Sequence, residues 1–163
     1  MPIASNLEPW LARLGLEPEQ AWRPGLLALD VSRRAIGVAG ADPGWQLATP
    51  LTTIRRRRFA ADLERLQAVI RERQAAALVV GWPLNMDGSE GPRCQSVGAF
   101  AEQVDRELKL PILLWDERLS TFAAEEAADR SGLRGQKRAD RLDALAALAR
   151  LKSKAAPERP KRT

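Results

Sequence analysis

The sequence contains no histidine and a single cysteine, Cys94, among its 163 residues. The lack of histidine excludes Ser-His-Asp and Cys-His catalysis, zinc sites with histidine ligands, and a histidine general base. Any hydrolytic chemistry must therefore rest on carboxylates, lysines or hydroxyl groups. One cysteine also excludes an internal disulfide framework, which favours the reducing cytoplasm.

Long apolar segments are lacking as well. Apolar residues make up 45% of the chain and charged residues 29%, and no apolar run approaches the roughly 20 residues that a membrane-spanning helix requires. The first six residues do not have the pattern of a secretory signal. We therefore expect a soluble, cytoplasmic protein that does not enter a membrane, with one domain of ordinary size.

The net charge of +5 is concentrated at the C-terminus, where six basic residues between Arg150 and Arg162 are opposed by one acid, Glu158. Such a tail can attract phosphate groups, but a basic end that contains proline is equally typical of a solvated, disordered terminus. We predict a basic, disordered tail over residues 153–163.

Hydrophobic periodicity predicts the order of the secondary structure. The predicted strands lie at 26–31, 36–40, 47–54, 76–81 and 111–115. The predicted helices lie at 59–74, 92–108, 121–130 and 139–151. Three antiparallel strands followed by alternating helix and strand indicate an α/β fold with a five-stranded mixed sheet flanked by helices. We interpret the proline-containing segment 1–24, with a short helical pattern around Trp10, as an N-terminal extension to a domain that covers 25–152.

Asp30 interrupts an apolar strand that is otherwise expected to be buried. Because an unpaired buried carboxylate is costly, something should compensate its charge. A hard cation such as Mg²⁺, which prefers carboxylate and phosphate oxygens, is one candidate. The alternative is an aspartate at a strand end that caps a nearby turn.

Two further pairs of acids are candidates for the same site. Asp116 and Glu117 follow a strand, and because only alternate side chains share a face, just one of them can join Asp30; the alternative is an acidic turn paired with Arg118. Asp140 and Asp143 are neighbours on one helix face, and the alanines after Asp143 allow close approach to a sheet. Asp140 is more simply explained as a partner of the helix dipole.

A glycine-rich segment, VGWPLNMDGSEGP, occupies residues 80–92 between a strand and a helix whose first turn tolerates proline. Backbone N–H groups at such a junction can bind a phosphate. The spacing is not that of a P-loop or of a dinucleotide-binding fingerprint, so the alternative is an ordinary loop.

Segments 80–92 and 115–121 (WDERLST) each resemble, almost residue for residue, a signature of the YqgF/RuvX family, and the resemblance extends from residue 26 to about 152. It implies an RNase H-like fold and a metal-dependent nuclease that acts on nucleic acid. Two substrates are implied: the 5′ end of pre-16S rRNA, which we favour, and the four-way DNA junction. A resolvase needs two sites to cut opposing strands, so a monomer and a homodimer both remain open.

The resemblance implies that Asp30, Glu117 and Asp143 hold Mg²⁺ or Mn²⁺, with two ions roughly 4 Å apart. Asp116 and Asp140 are additional candidate ligands. The residues expected to position phosphate groups are Arg118, Asn85, Asp87, Gly88 and Ser89. The arginine run 55–58 is expected either to guide the nucleic acid backbone or to form a solubilising turn.

This chain departs from the family pattern around Asp30, where Ala28 and Ser32 replace the two glycines of a Gly-x-Asp-x-Gly motif. Because glycine permits close approach of a substrate, we expect the change to weaken the activity or to alter the substrate preference. The rival interpretation is a catalytically silent module that binds nucleic acid or the ribosome. A phosphotransferase that uses ATP is disfavoured, because the chain has no second domain to close over a nucleotide.

Overall fold

The structure, a computed structural model, describes residues 3–4, 10, 12–14, 25–41 and 48–116. The strands in this part of the chain are β1 (Ile3–Ala4), β2 (Gly25–Val31), β3 (Ala35–Ala41), β4 (Ala48–Arg55), β5 (Ala75–Trp82) and β6 (Ile112–Asp116). The long helices of the described residues are α1 (Phe59–Arg73) and α2 (Pro92–Leu108); the predicted helices 121–130 and 139–151 lie outside this part of the chain. Each of these long helices and of the last five strands matches a predicted element, with ends that differ by at most one residue.

These strands form one mixed sheet in the order β1-β6-β5-β2-β3-β4. β2, β3 and β4 pair antiparallel in succession, whereas β5 runs parallel to both β2 and β6. Helix α1 connects β4 to β5, and α2 connects β5 to β6. The predicted α/β arrangement is therefore confirmed: three antiparallel strands are followed by helix and strand in alternation.

One face of the sheet packs against α1 and α2. Alternate residues of each strand contribute to this face, since successive side chains of a strand point to opposite sides. The buried cluster consists of Leu27, Leu29, Val31, Ile36, Val38, Ile54, Leu66, Ala75, Leu78, Val80, Val97, Phe100, Val104 and Ile112. Burying one large aliphatic or aromatic side chain of this kind stabilises the fold by about 1.5–3 kcal/mol.

The opposite face of the central strands is buried too, through Leu26 and Ala28 of β2, Val79 of β5 and Leu113 of β6. Asp30 belongs to this second face, because it alternates with Leu29 and Val31. The apolar sequence of β2 is thus explained by burial on both sides, and Asp30 marks the point where that burial ends.

Helix α1 ends against the start of β2. Gln74 adopts a left-handed conformation with φ of 51° and closes the helix through its N–H. A Cβ atom at Gly25 would lie 2.8 Å from the carbonyl oxygens of both Arg73 and Gln74. Glycine is therefore required at position 25, where two backbone segments meet too closely for a side chain.

The N-terminal segment adds a strand that the sequence did not predict. Ile3–Ala4 pairs parallel with Ile112–Leu113 at the edge of the sheet, and two residues are too short for a periodic pattern to reveal. The predicted helical turn is present at Trp10, whose carbonyl oxygen accepts the N–H of Leu14, and the Trp10 side chain is fully buried. No helix in the described residues is long and apolar enough to cross a membrane.

Candidate active site

The candidate site lies at the edge of the sheet where the parallel strands β2, β5 and β6 have their carboxyl ends. In register, Leu29 pairs with Val80, and Val80 pairs with Leu114. One residue further along, Gly81 pairs with Trp115. Ligands commonly bind at the carboxyl ends of strands in open α/β sheets, and this edge carries the motifs singled out in the sequence.

Asp30 is placed at this edge between two glycines. Gly37 of β3 is its antiparallel partner, and on the other side Gly81 follows Val80, the β5 partner of Leu29. Neither neighbour has a side chain to fill the space beside the carboxylate. Asp30 is half-buried, so its carboxylate has limited exposure to water.

Asp116, the last residue of β6, lies on the other face. It pairs with Trp82, and both Trp82 and Leu114 pack against the core cluster on the helix side. Strand alternation therefore directs Asp116 toward α1 and α2, away from the face of Asp30. Trp115 shares the face of Asp30; its indole N–H is buried and has no hydrogen-bond acceptor in the part of the chain described.

The glycine-rich segment forms a closed, hydrogen-bonded loop after β5. The N–H of Asn85 donates to the carbonyl oxygen of Ser89 (3.0 Å), and the N–H of Gly88 donates to that of Asn85 (2.8 Å). Gly88 has a φ of 87°, a conformation that favours glycine. This explains the glycine at position 88 as a requirement of the turn.

Side chains of the same loop bind one another. The amide of Asn85 donates to Oγ of Ser89 (3.0 Å), and Ser89 donates to Oδ1 of Asp87 through both its N–H (2.9 Å) and its hydroxyl. The expected phosphate-positioning residues Asn85, Asp87, Gly88 and Ser89 are therefore brought together and are all exposed. Their mutual hydrogen bonds fix the shape of the loop.

Ser32, which replaces a family glycine, closes the turn between β2 and β3. Its hydroxyl donates to the carbonyl oxygen of Ala35 (3.0 Å) and accepts the N–H of the same residue (3.1 Å). Among the described residues, only Gln74 and Lys109 have positive φ without being glycine, so the backbone at position 32 does not require glycine. Ala28 is accommodated in register between Ala39 and Val79.

Arg56, within the arginine run 55–58, connects three elements. Its Nη1 atom donates to the carbonyl oxygen of Ser32 (2.8 Å), and its guanidinium carbon lies 5.3 Å from the centroid of the Phe100 ring of α2, a cation–π geometry. The sequence did not distinguish Arg56 from its neighbours. The contacts give it a structural role, whereas the side chains of Arg55, Arg57 and Arg58 are exposed.

The turn between β2 and β3 adds two exposed arginines, Arg33 and Arg34, to the same end of the sheet. The N–H of Arg56 donates to the carbonyl oxygen of Arg34 (2.8 Å), which places this turn beside the arginine run. Arg93, in the first turn of α2, is exposed as well. Their proximity could not be read from the sequence, because residues 34, 56 and 93 are far apart along the chain.

Four predicted site residues, Glu117, Arg118, Asp140 and Asp143, lie outside the described residues. Within the described part of the chain, no group of three or more acidic or cysteine side chains could hold a metal ion. Of the three expected metal ligands, the structure therefore locates Asp30. Its donor chemistry, a half-buried carboxylate at a strand end, fits a hard divalent cation.

Comparison with known proteins agrees with the family resemblance of segments 80–92 and 115–121. A family model described as RuvX, Holliday junction resolvase, matches residues 25–154. A candidate pre-16S rRNA nuclease of Rhodobacter capsulatus is 51% identical over 126 residues, which cover 77% of this chain and 79% of that protein. A relative of the same description from Cereibacter sphaeroides is 49% identical over 145 residues, 89% of this chain and 87% of that protein.

Among solved structures, Thermus thermophilus RuvC in complex with a Holliday junction substrate aligns with a TM-score of 0.49 and 12% sequence identity. The alignment covers 80% of this chain and 98% of that one.

Proposed function

The chain belongs to the RuvX family, and from this membership we propose that it is a divalent-metal-dependent endonuclease that processes the 5′ end of pre-16S rRNA in the cytoplasm. Relatives about 50% identical over most of the chain are named for pre-16S rRNA. The observation that carries the proposal is the position of Asp30, a half-buried carboxylate between two glycines at the carboxyl edge of the parallel strands.

Asp30, Glu117 and Asp143 would hold the metal, two Mg²⁺ or Mn²⁺ ions in our proposal. Bound divalent ions supply an activated water and stabilise the leaving oxygen in phosphodiester hydrolysis. Asp116 is directed to the helix side of the sheet, whereas Trp115 lies on the face of Asp30. Residues two apart in a strand share a face, so continued alternation would place Glu117 on the face of Trp115 and Asp30. This alternation favours Glu117 over Asp116 as the partner of Asp30.

Substrate phosphates would be positioned by Arg118 and by the loop of Asn85, Asp87, Gly88 and Ser89. Because the three polar side chains of this loop bind one another, we expect its backbone N–H groups and its fixed shape to matter more than the side chains alone. A loop that is already ordered loses little conformational freedom when a substrate binds.

The domain limits proposed from the sequence accompany this function: a nuclease domain over 25–152, an N-terminal extension over 1–24 and a basic tail over 153–163. The family match to residues 25–154 supports the limits proposed for the nuclease domain. The pairing of Ile3–Ala4 with β6 attaches the extension to the domain, so it is not an independent unit.

A second candidate substrate is the four-way DNA junction, favoured by the description of the matching family. Symmetric cleavage of a junction needs two sites, so it requires a homodimer. A silent nucleic-acid-binding module is the remaining alternative.

One experiment separates these functions. Labelled pre-16S rRNA leader and four-way DNA junction are incubated with the full chain in Mg²⁺, Mn²⁺ or EDTA, and the molar mass in solution is measured in parallel. We expect the metal-containing reactions to cut the RNA near the mature 5′ end. Symmetric cutting of the junction by a dimer, with the RNA left intact, would favour the resolvase, and binding without cutting would favour the silent module.

A further inference from the structure

A cavity of about 460 Å³ lies between the turn that follows β2 and the first turns of α2. Ser32 and Arg33 line it on the side of the turn, and Arg93 and Ser96 line it on the side of the helix. Val31 and Val97, both buried, contribute apolar surface. We call it the Arg33–Arg93 cavity.

The described lining of the Arg33–Arg93 cavity is positively charged. Both arginines are exposed, and none of the described residues that line the cavity is acidic. The Ser32 hydroxyl is engaged with Ala35 in the turn. Among the described residues, two guanidinium groups and the Ser96 hydroxyl are therefore the polar side-chain groups that the cavity offers to a ligand.

The two walls of the cavity are held together by Arg56. It binds the carbonyl oxygen of Ser32, next to Arg33, and its guanidinium stacks on Phe100, which belongs to the helix that carries Arg93. The distance between the turn and the helix is thus fixed by a contact that leaves both lining arginines exposed. Because the two backbone segments that carry Arg33 and Arg93 are held together, less conformational freedom is lost when both side chains gather around one anion.

We infer that the Arg33–Arg93 cavity binds a backbone phosphate of the nucleic acid strand on which the enzyme acts. Guanidinium groups match the geometry of phosphate oxygens and remain charged at all relevant pH values. The volume lies within the range of pockets that hold small molecules, so it can admit a phosphate with its sugar.

The cavity lies one residue along β2 from Asp30 but on the other side of the sheet. Val31 contributes to the cavity and faces the helices, whereas Asp30 faces away from them. In this proposal the bound strand crosses the edge of the sheet, with one phosphate in the cavity and the scissile phosphate on the side of Asp30. Such a contact positions the strand and does not read its sequence.

The inference rests on the proposed nuclease function, and the test is binding of labelled pre-16S rRNA leader to the full chain in EDTA at several salt concentrations. The variants are Arg33→Gln, Arg93→Gln and the double variant, with Arg106→Gln as a control of equal charge in the exposed last turn of α2. Ser96→Asp is a further variant that places a negative charge in the cavity and retains both arginines. Circular dichroism checks that each variant is folded.

We expect each cavity variant to weaken binding about three- to tenfold and the double variant to reduce the slope of log Kd against log salt by about 1 to 2. Arg106→Gln should leave both quantities close to those of the unaltered chain. Unchanged affinity and salt slope in the double variant would overturn the inference.

The outcomes separate this inference from the function on which it rests. If the chain cleaves RNA in a metal-dependent way but RNA binding does not change when Arg33 and Arg93 are substituted, the cavity is not a phosphate site and the nuclease function stands. Binding that depends on both arginines, in a chain that cuts neither substrate, would retain the cavity as a phosphate site and reject the nuclease. A chain that binds no nucleic acid would overturn both.

Discussion

The guanidinium of Arg56 donates a 2.8 Å hydrogen bond to the carbonyl oxygen of Ser32, two residues after Asp30. This bond ties the connection between β4 and α1 to the turn that ends β2. The same guanidinium stacks on Phe100, which anchors the turn to α2. The carboxyl end of β2, where the candidate catalytic carboxylate lies, is therefore held by a residue 26 positions away in the sequence.

Arg56→Gln should destabilise the protein by about 1–3 kcal/mol, because it removes a hydrogen bond from a charged donor and a cation–π contact. Urea denaturation measures the change. Arg58→Gln, at an exposed position of the same arginine run, is the matched control and should change the free energy of unfolding by less than about 0.5 kcal/mol. Equal effects of the two substitutions would contradict the structural role given to Arg56.

Gly25→Ala should destabilise the fold by about 1–3 kcal/mol, because its Cβ would meet two backbone carbonyl oxygens at 2.8 Å and backbone cannot move aside cheaply. At Gly98 an added Cβ would instead meet the ring of Trp82 at 3.2 Å, and a side chain can shift by a few tenths of an ångström. Thermal unfolding of both alanine variants compares them. A greater loss for Gly98→Ala than for Gly25→Ala would show that the approach of α1 to β2 is described wrongly.

Ser89→Ala should reduce kcat/KM for RNA cleavage by roughly tenfold with little change in the free energy of unfolding. It removes the acceptor of the Asn85 amide and the hydroxyl donor to Asp87, so the exposed loop keeps its backbone hydrogen bonds but is less rigid and positions the substrate less well. Ser89→Thr retains a hydroxyl and should restore most of the activity. Equal activity of the alanine, threonine and unaltered chains would indicate that the order of this loop does not contribute to the reaction.

The sequence predicted α1, α2 and five of the strands well because their patterns are pronounced. The apolar segment 76–81 could be assigned as a buried strand because it is a short apolar run after a helical pattern, and Pro92 marked the start of α2. The strand Ile3–Ala4 was not predicted because two residues carry no periodic pattern. It is a strand only through its pairing with Ile112–Leu113.

The candidate site was predicted only in part. Asp30 was recognisable as a polar interruption in an apolar strand, but its two glycine neighbours depend on strand register, which the sequence does not reveal. The separation of Asp116 from the face of Asp30 likewise required knowledge of which side of β6 packs against the helices. Arg33 and Arg93 gave no signal, since an isolated arginine in a turn or in a first helical turn is commonplace.

Metal-dependent cleavage by Asp30→Asn, compared with Asp116→Asn, tests the central claim most directly. The substrate is labelled pre-16S rRNA leader in Mg²⁺ or Mn²⁺, with EDTA as the blank and circular dichroism to verify folding. We expect Asp30→Asn to reduce cleavage by about 100-fold or more, because position 30 holds a metal ligand. We expect Asp116→Asn to reduce cleavage by less than about tenfold, because its carboxylate lies on the opposite face of the sheet. Full cleavage by Asp30→Asn would remove Asp30 from the site and contradict the account.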